Sequence, residues 1–121
     1  MLDHLSLGVS SLGASRAFYE AALAPLGYAV VMETKDRVAF GPPSRPIFWL
    51  VAREPACTGV HVAFQAADRA RVDAFHAAAL NAGARDNGAP GMRQHYHPHY
   101  YGGFVLDPDG NNAEAVCHTP Q

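Results

Sequence analysis

The sequence predicts an α+β fold in which two tandem βαβββ modules form a curved, partly open barrel. Three observations carry this expectation. A histidine in an apolar strand, His4 in LDHLSLGV, returns 57 residues later as His61 in TGVHVAFQ. The same ungapped offset lays AFYEAALAPLG, from Ala17, over AFHAAALNAGA, from Ala74, with Ala, Phe, Ala, Ala and Leu identical. Each strand and helix is then followed by short β-type segments separated by turn residues.

Taken in order, Leu2 to Val9 alternates, with His4, Ser6 and Gly8 on one side and Leu5, Leu7 and Val9 on the other. Ser10 and Ser11 can cap a helix whose Leu12, Phe18, Ala22 and Leu23 fall at helical spacing, and Pro25 with Gly27 ends it. Strands are expected over Tyr28 to Glu33, Arg37 to Phe40 and Ile47 to Ala52, separated by TKD and GPPSRP. The segment REPACTG reads as a linker, giving a first module over 1–55 and a second over 58–121 of a single domain that spans 1–121. In the second, His61, Ala63 and Gln65 share a strand face, and Asp68 caps a helix carrying Val72, Phe75, Ala79 and Leu80 that Gly83 stops. His76 reads as the solvent-facing counterpart of Tyr19. DNGAPGMRQHYHPHYYGG is expected to be a long loop, after which FVL, the tight turn DPDG and NNAEAVC close the module.

Composition bounds the function. At 121 residues, 49% hydrophobic and with a net charge of -2, the chain suits one compact core and a small-molecule partner. The absence of a basic run argues against nucleic acid, and no apolar stretch approaches the roughly 20 residues that cross a bilayer. Cys57 and Cys117 form no CxxC pair and no charged leader precedes the first strand, so a cytoplasmic location is expected.

Asn112, Glu114 and Val116 share one face of the last strand. If the two sheets curl around a common cavity, His4, His61 and Glu114 line it; two imidazoles and a carboxylate suit a catalytic divalent metal with positions left for substrate or water. A lone strand histidine is more often a hydrogen-bonded structural residue. The repeat, the shared parity and Glu114 reverse that preference here. QHYHPHYY, with His95, His97 and His99, reads as a substrate-covering loop and not as a second metal site.

The paired modules, His4, His61 and DPDGNNAE resemble the vicinal oxygen chelate superfamily, which includes glyoxalases, extradiol dioxygenases, fosfomycin-modifying transferases and bleomycin-resistance proteins. The resemblance covers essentially the whole chain. It implies metal ligands at His4, His61 and Glu114, one divalent ion per chain (Fe, Mn, Zn or Ni) and a homodimer. Aligning GPPS at Gly41 with DPDG at Asp107 gives an offset of 66, which puts Phe48 opposite Glu114; a slip of one residue would put Trp49 there, and neither ligates a metal. A fourth ligand of the glyoxalase I kind is therefore not expected. Phe104 stands where the dioxygenases carry a tyrosine, which weakens a ring-cleaving reading.

The expected function is a metal-dependent enzyme, of lyase or isomerase type or of the dioxygenase and transferase types in the same superfamily, acting on a small oxygenated or carbonyl-containing substrate. Tyr96, His97 and Tyr100 are candidates for the general acid or base, and Phe48, Trp49, Arg93 and Tyr101 for the substrate pocket. The alternative is a drug-sequestering protein that binds a small molecule without chemistry.

Overall fold

The computed structural model describes residues 1–121. The element order is β1 (Leu5–Val9), α1 (Leu12–Leu23), β2 (Ala29–Glu33), β3 (Arg37–Gly41), β4 (Phe48–Ala52), β5 (His61–Gln65), α2 (Arg69–Asn81), β6 (Arg85–Met92), β7 (Tyr101–Leu106) and β8 (Asn112–Cys117). The two four-stranded sheets have the same order, β1-β4-β3-β2 and β5-β8-β7-β6. In each, the first strand runs parallel to the last and the other pairs are antiparallel. The expected pair of βαβββ modules in an α+β arrangement is what the chain forms.

Local chemistry sets the helix limits. Ser11 accepts the Ala14 N–H at the start of α1, and Asp68 accepts the Arg71 N–H at the start of α2. Gly27 and Gly83, at φ +88° and +97°, take the left-handed conformation that ends each unit and that a side chain would resist. The apolar faces of both helices then enter a single core of 19 buried residues drawn from both halves of the chain. At its centre Phe48 stands edge-on to Tyr19 at 4.9 Å and to Phe64 at 5.1 Å.

Two expectations are corrected here. Residues 85–92 are not loop but the edge strand β6, whose register shifts at Gly88 and again before Gly91. Glycine and proline are tolerated because this strand is an edge and its irregularities fall at those residues. His76 is not solvent-facing: it is 7% exposed, and its Nε2 pairs with Asp86 Oδ1 at 2.9 Å. Two backbone N–H groups and His76 hold the Asp86 carboxyl below the usual carboxylate range, Gly88 N–H contributing most.

The buried Tyr19 hydroxyl donates to Asp107 Oδ2 at 2.6 Å, across 88 residues of sequence. Tyr19→Phe leaves that carboxylate oxygen buried without its donor, so the variant should lose about 1–3 kcal/mol in urea unfolding. A midpoint within experimental error of the parent would show that the bond contributes nothing to joining the two halves.

Candidate functional site

The register of the second sheet gathers one polar face. His61 lies beside Asn112 and Ala63 beside Glu114 in the parallel β5–β8 pair, while Phe104 of β7 lies opposite Glu114. Side chains of register partners share a face, so His61, Glu114 and Phe104 project together. His61 Nε2 is 2.7 Å from Glu114 Oε1, and its ring is 6.2 Å from that of Phe104. The Glu114 side chain is fully buried, whereas His61 is half exposed. The buried Asn112 Oδ1, next to them, has no hydrogen-bond partner.

Tyr100 completes the group by donating its hydroxyl to Glu114 Oε2. Burial, then the hydrogen bond and charge of Glu114, pushes this phenol well above its ordinary value, which keeps it protonated. The contact depends on Gly102, because a Cβ there would come within 2.9 Å of the Tyr100 ring and 3.0 Å of Glu114 Oε2. Arg93 enters from the other side, its guanidinium 5.4 Å over the Phe104 ring.

Of the three acid or base candidates, only Tyr100 touches Glu114. Tyr96 is exposed and packs edge-on against Tyr100 at 5.1 Å. His97 is a further step away and packs on His118, which also meets Tyr100 at 5.2 Å. The C-terminal His118, without a role in the sequence reading, thus props the loop that carries these residues. His4 pairs with Asp3 at 2.8 Å and lines a cleft of about 170 Å³ with Phe48, Val62 and Phe64. It does not join His61 and Glu114, and no three His, Cys, Asp or Glu side chains of the chain meet as a metal-holding group.

The pocket candidates divide. Arg93 belongs to the site. Tyr101 faces the other side of β7, donating to Asp73 Oδ1 of α2 at 2.6 Å, with Arg69 over its ring. Phe48 is 2% exposed in the core. The offset of 66 is one residue too long: Ser6 pairs with Trp49 and Ala63 with Glu114, so the 57-residue repeat makes Trp49 the counterpart of Glu114. The expectation of no carboxylate at that position stands, since Trp49 cannot ligate.

Phe104, Gly102 and Asn112 are site residues that were not named as such. Their signal was parity with Glu114, visible for Asn112 in the last strand but hidden for the others until the β7–β8 register is known.

A sequence model of the glyoxalase/bleomycin resistance protein/dioxygenase superfamily matches residues 1–115. No curated protein matches the chain. Among solved structures, a glyoxalase/bleomycin resistance protein from Albidiferax ferrireducens T118 is similar over 98% of both chains, at 31% identity and a TM-score of 0.84. A glyoxalase/bleomycin resistance protein/dioxygenase family enzyme from Burkholderia phytofirmans PsJN covers 98% of both chains at 17% identity and a TM-score of 0.75. Lactoylglutathione lyase from Agrobacterium tumefaciens covers 94% of this chain and 90% of its own at 22% identity and a TM-score of 0.69; at these lower identities the likeness is one of fold. With the repeat, the paired sheets and the matched family model in agreement, the chain belongs to the glyoxalase/bleomycin resistance protein/dioxygenase superfamily.

Proposed function

We propose that the protein is a metal-dependent enzyme acting on a small oxygenated or carbonyl-containing substrate, with chemistry of the lyase or isomerase type or of the dioxygenase or transferase type in its superfamily. The observation that carries this reading is Glu114, a carboxylate removed from water with only an imidazole and a phenol against it. Such a group is costly to bury unless a cation or proton compensates it. A divalent ion would take Glu114 Oε1 and His61 Nε2, atoms already adjacent, and this donor set suits Fe, Mn, Zn or Ni.

The third ligand in this reading is His4 of a second copy. β1 and β5 each lie at the edge of a four-stranded sheet, and His4 and His61 are both about half exposed on those edges. An open strand edge favours pairing with another chain, and a homodimer with two equivalent sites uses both edges. The bound ion would supply Lewis acidity to chelated substrate oxygens. Tyr100 holds a proton at its hydroxyl beside Glu114, Phe104 and Trp49 exclude water, and Arg93 orients substrate. The cytoplasm, where both free cysteines stay reduced, is the expected location. No helix is long and apolar enough to cross a membrane.

A metal-free binding protein is the competing reading, favoured by the lack of a complete three-ligand set within one chain. Turnover by metal-reconstituted protein that chelator abolishes would support the enzyme; ligand binding unchanged by chelator, with no turnover, would support the binder.

Four outcomes follow from the metal assignment. His61→Ala should lose most of the metal found by elemental analysis, because the remaining ligands make a poor site; full occupancy would exclude His61 as a ligand. Light scattering at micromolar concentration should give twice the chain mass, and a monomer would remove the source of the third ligand. Phe48→Glu should cost about 3 kcal/mol or more without improving metal retention, since it places a charge in the core. Trp49→Glu should instead raise metal retention; the reverse pattern would mean that the strand register assigned to β4 is wrong.

A further inference from the structure

The geometry points to an anionic substrate: a small molecule whose chelating oxygens reach the metal while a carboxylate, phosphate or phosphonate group docks on Arg93. This rests on the metal-site reading above and specifies what the site selects.

Arg93 has the properties of a receptor awaiting an anion. It is half-buried, and its guanidinium donates only to main-chain carbonyls, Ala89 O at 2.8 Å and Met92 O at 3.4 Å. Most of its N–H donors therefore remain free. Carbonyl dipoles fix its orientation without neutralising its charge, and no carboxylate pairs with it, although Arg16 and Arg71 both have acidic partners. Bracing the loop alone would not need a permanent cation on the face of an aromatic ring.

The floor beneath the guanidinium is cleared for it. A Cβ at Gly91 would lie 3.0 Å from its Nη1, and one at Gly88 would lie 3.4 Å from its Nη2 and 3.0 Å from the Phe104 ring. Gly88 also has φ +146°, outside the range that side chains adopt easily. Larger residues at either position would push the guanidinium off the sheet.

Its placement relative to the metal ligands is equally defined. Arg93 N–H donates to Tyr100 O at 2.7 Å, so Arg93 and Tyr100 form the two feet of the 93–100 loop. Tyr100 reaches Glu114, and the positive charge of Arg93 opposes the rise of the Tyr100 phenol. The Phe104 ring neighbours both groups, 6.2 Å from the His61 imidazole and 5.4 Å from the Arg93 guanidinium carbon. Two inter-strand spacings, about 10 Å in all, separate β6 from β8. A small molecule spans that distance with oxygens at one end and an anion at the other, its apolar middle on Phe104. A guanidinium in such a partly desolvated position binds carboxylate or phosphate-type groups by paired, charge-assisted hydrogen bonds.

The test compares acetohydroxamate, a neutral bidentate oxygen chelator, with 3-phosphonopropionohydroxamate, which adds an anionic tail. Both are titrated into Co(II)-loaded wild-type protein and the Arg93→Gln and Arg93→Lys variants. The tail should tighten binding to the wild type by about tenfold or more. Arg93→Gln should abolish that preference while leaving acetohydroxamate affinity within about twofold, because the substitution is remote from the ion. Arg93→Lys should retain part of it. An equal preference in wild type and Arg93→Gln, or none in the wild type, overturns the inference. A second arm does not depend on metal: inorganic phosphate is titrated into metal-free protein and followed by the Gly88 and Gly91 amide resonances. Saturable shifts in the wild type that Arg93→Gln lacks support the anion site even if cobalt fails to bind, which would instead count against the metal reading. Identical responses in the two proteins refute the anion site.

Discussion

Asp107 is a buried carboxylate at the meeting point of the two halves, and each of its oxygens is engaged by a different part of the chain. Oδ2 accepts the Tyr19 hydroxyl from α1, and Oδ1 accepts the N–H groups of Asp109 and Asn111, which folds the DPDGN turn between β7 and β8. Gly110 at φ +85° completes that turn. Asn111 then fixes the chain entering β5: its Oδ1 accepts the Val60 N–H and its Nδ2 donates to Cys57 O. Asp109 in turn accepts from Ser10, just after β1. The strands that carry Glu114 and His61, and the end of the strand that His4 precedes, are therefore set by one turn. Removing a donor from a buried carboxylate is more damaging than losing an average hydrogen bond, so this turn is costly to alter.

The concave face of the second sheet is shaped as much by missing side chains as by those present. Glycine at 102 allows Tyr100 to lie on Glu114, and glycines at 88 and 91 allow Arg93 to lie on Phe104. Three of the glycines in β6 and β7 thus have a steric consequence within the site. In the first sheet the close-approach glycines, Gly8 and Gly41, instead accommodate Arg53 and the Arg45 carbonyl, and Trp49 stands where the second sheet has its carboxylate. The duplicated halves have diverged, with the second supplying most of the polar chemistry and the first a histidine and an aromatic wall.

Much of this was legible from residues alone. Hydrophobic periodicity and capping chemistry located both helices, and the 57-residue repeat identified the equivalence of β1 and β5. Glu114 announced itself as a carboxylate within an apolar strand. Three features escaped for physical reasons. β6 combines glycines and a proline that ordinarily mark loops, and its strand character comes from pairing with β7, a non-local interaction. The buried state of His76 depends on Asp86, a partner found only after α2 turns into β6. The offset between Trp49 and Glu114 was misjudged by one residue because Gly41 of GPPSRP was aligned with Asp107 of DPDG, whereas strand pairing makes Leu106 the counterpart of Gly41. In a strand, one residue reverses the face, which moved Phe48 from the cavity to the core.

The central claim is that the ion is held by His61 and Glu114 of one chain with His4 of a second. It is tested most directly by mixing two inactive parents. His4→Ala and His61→Ala chains are purified separately, unfolded together, refolded and assayed for bound metal. In a mixed dimer the two substitutions fall in the same site, and the other site keeps all three ligands. The account predicts that the mixture regains metal although neither parent holds it alone, with a site restored in each heterodimer. If refolded mixtures contain heterodimers but no more metal than the parents, the ligands are not shared between chains and the account is contradicted.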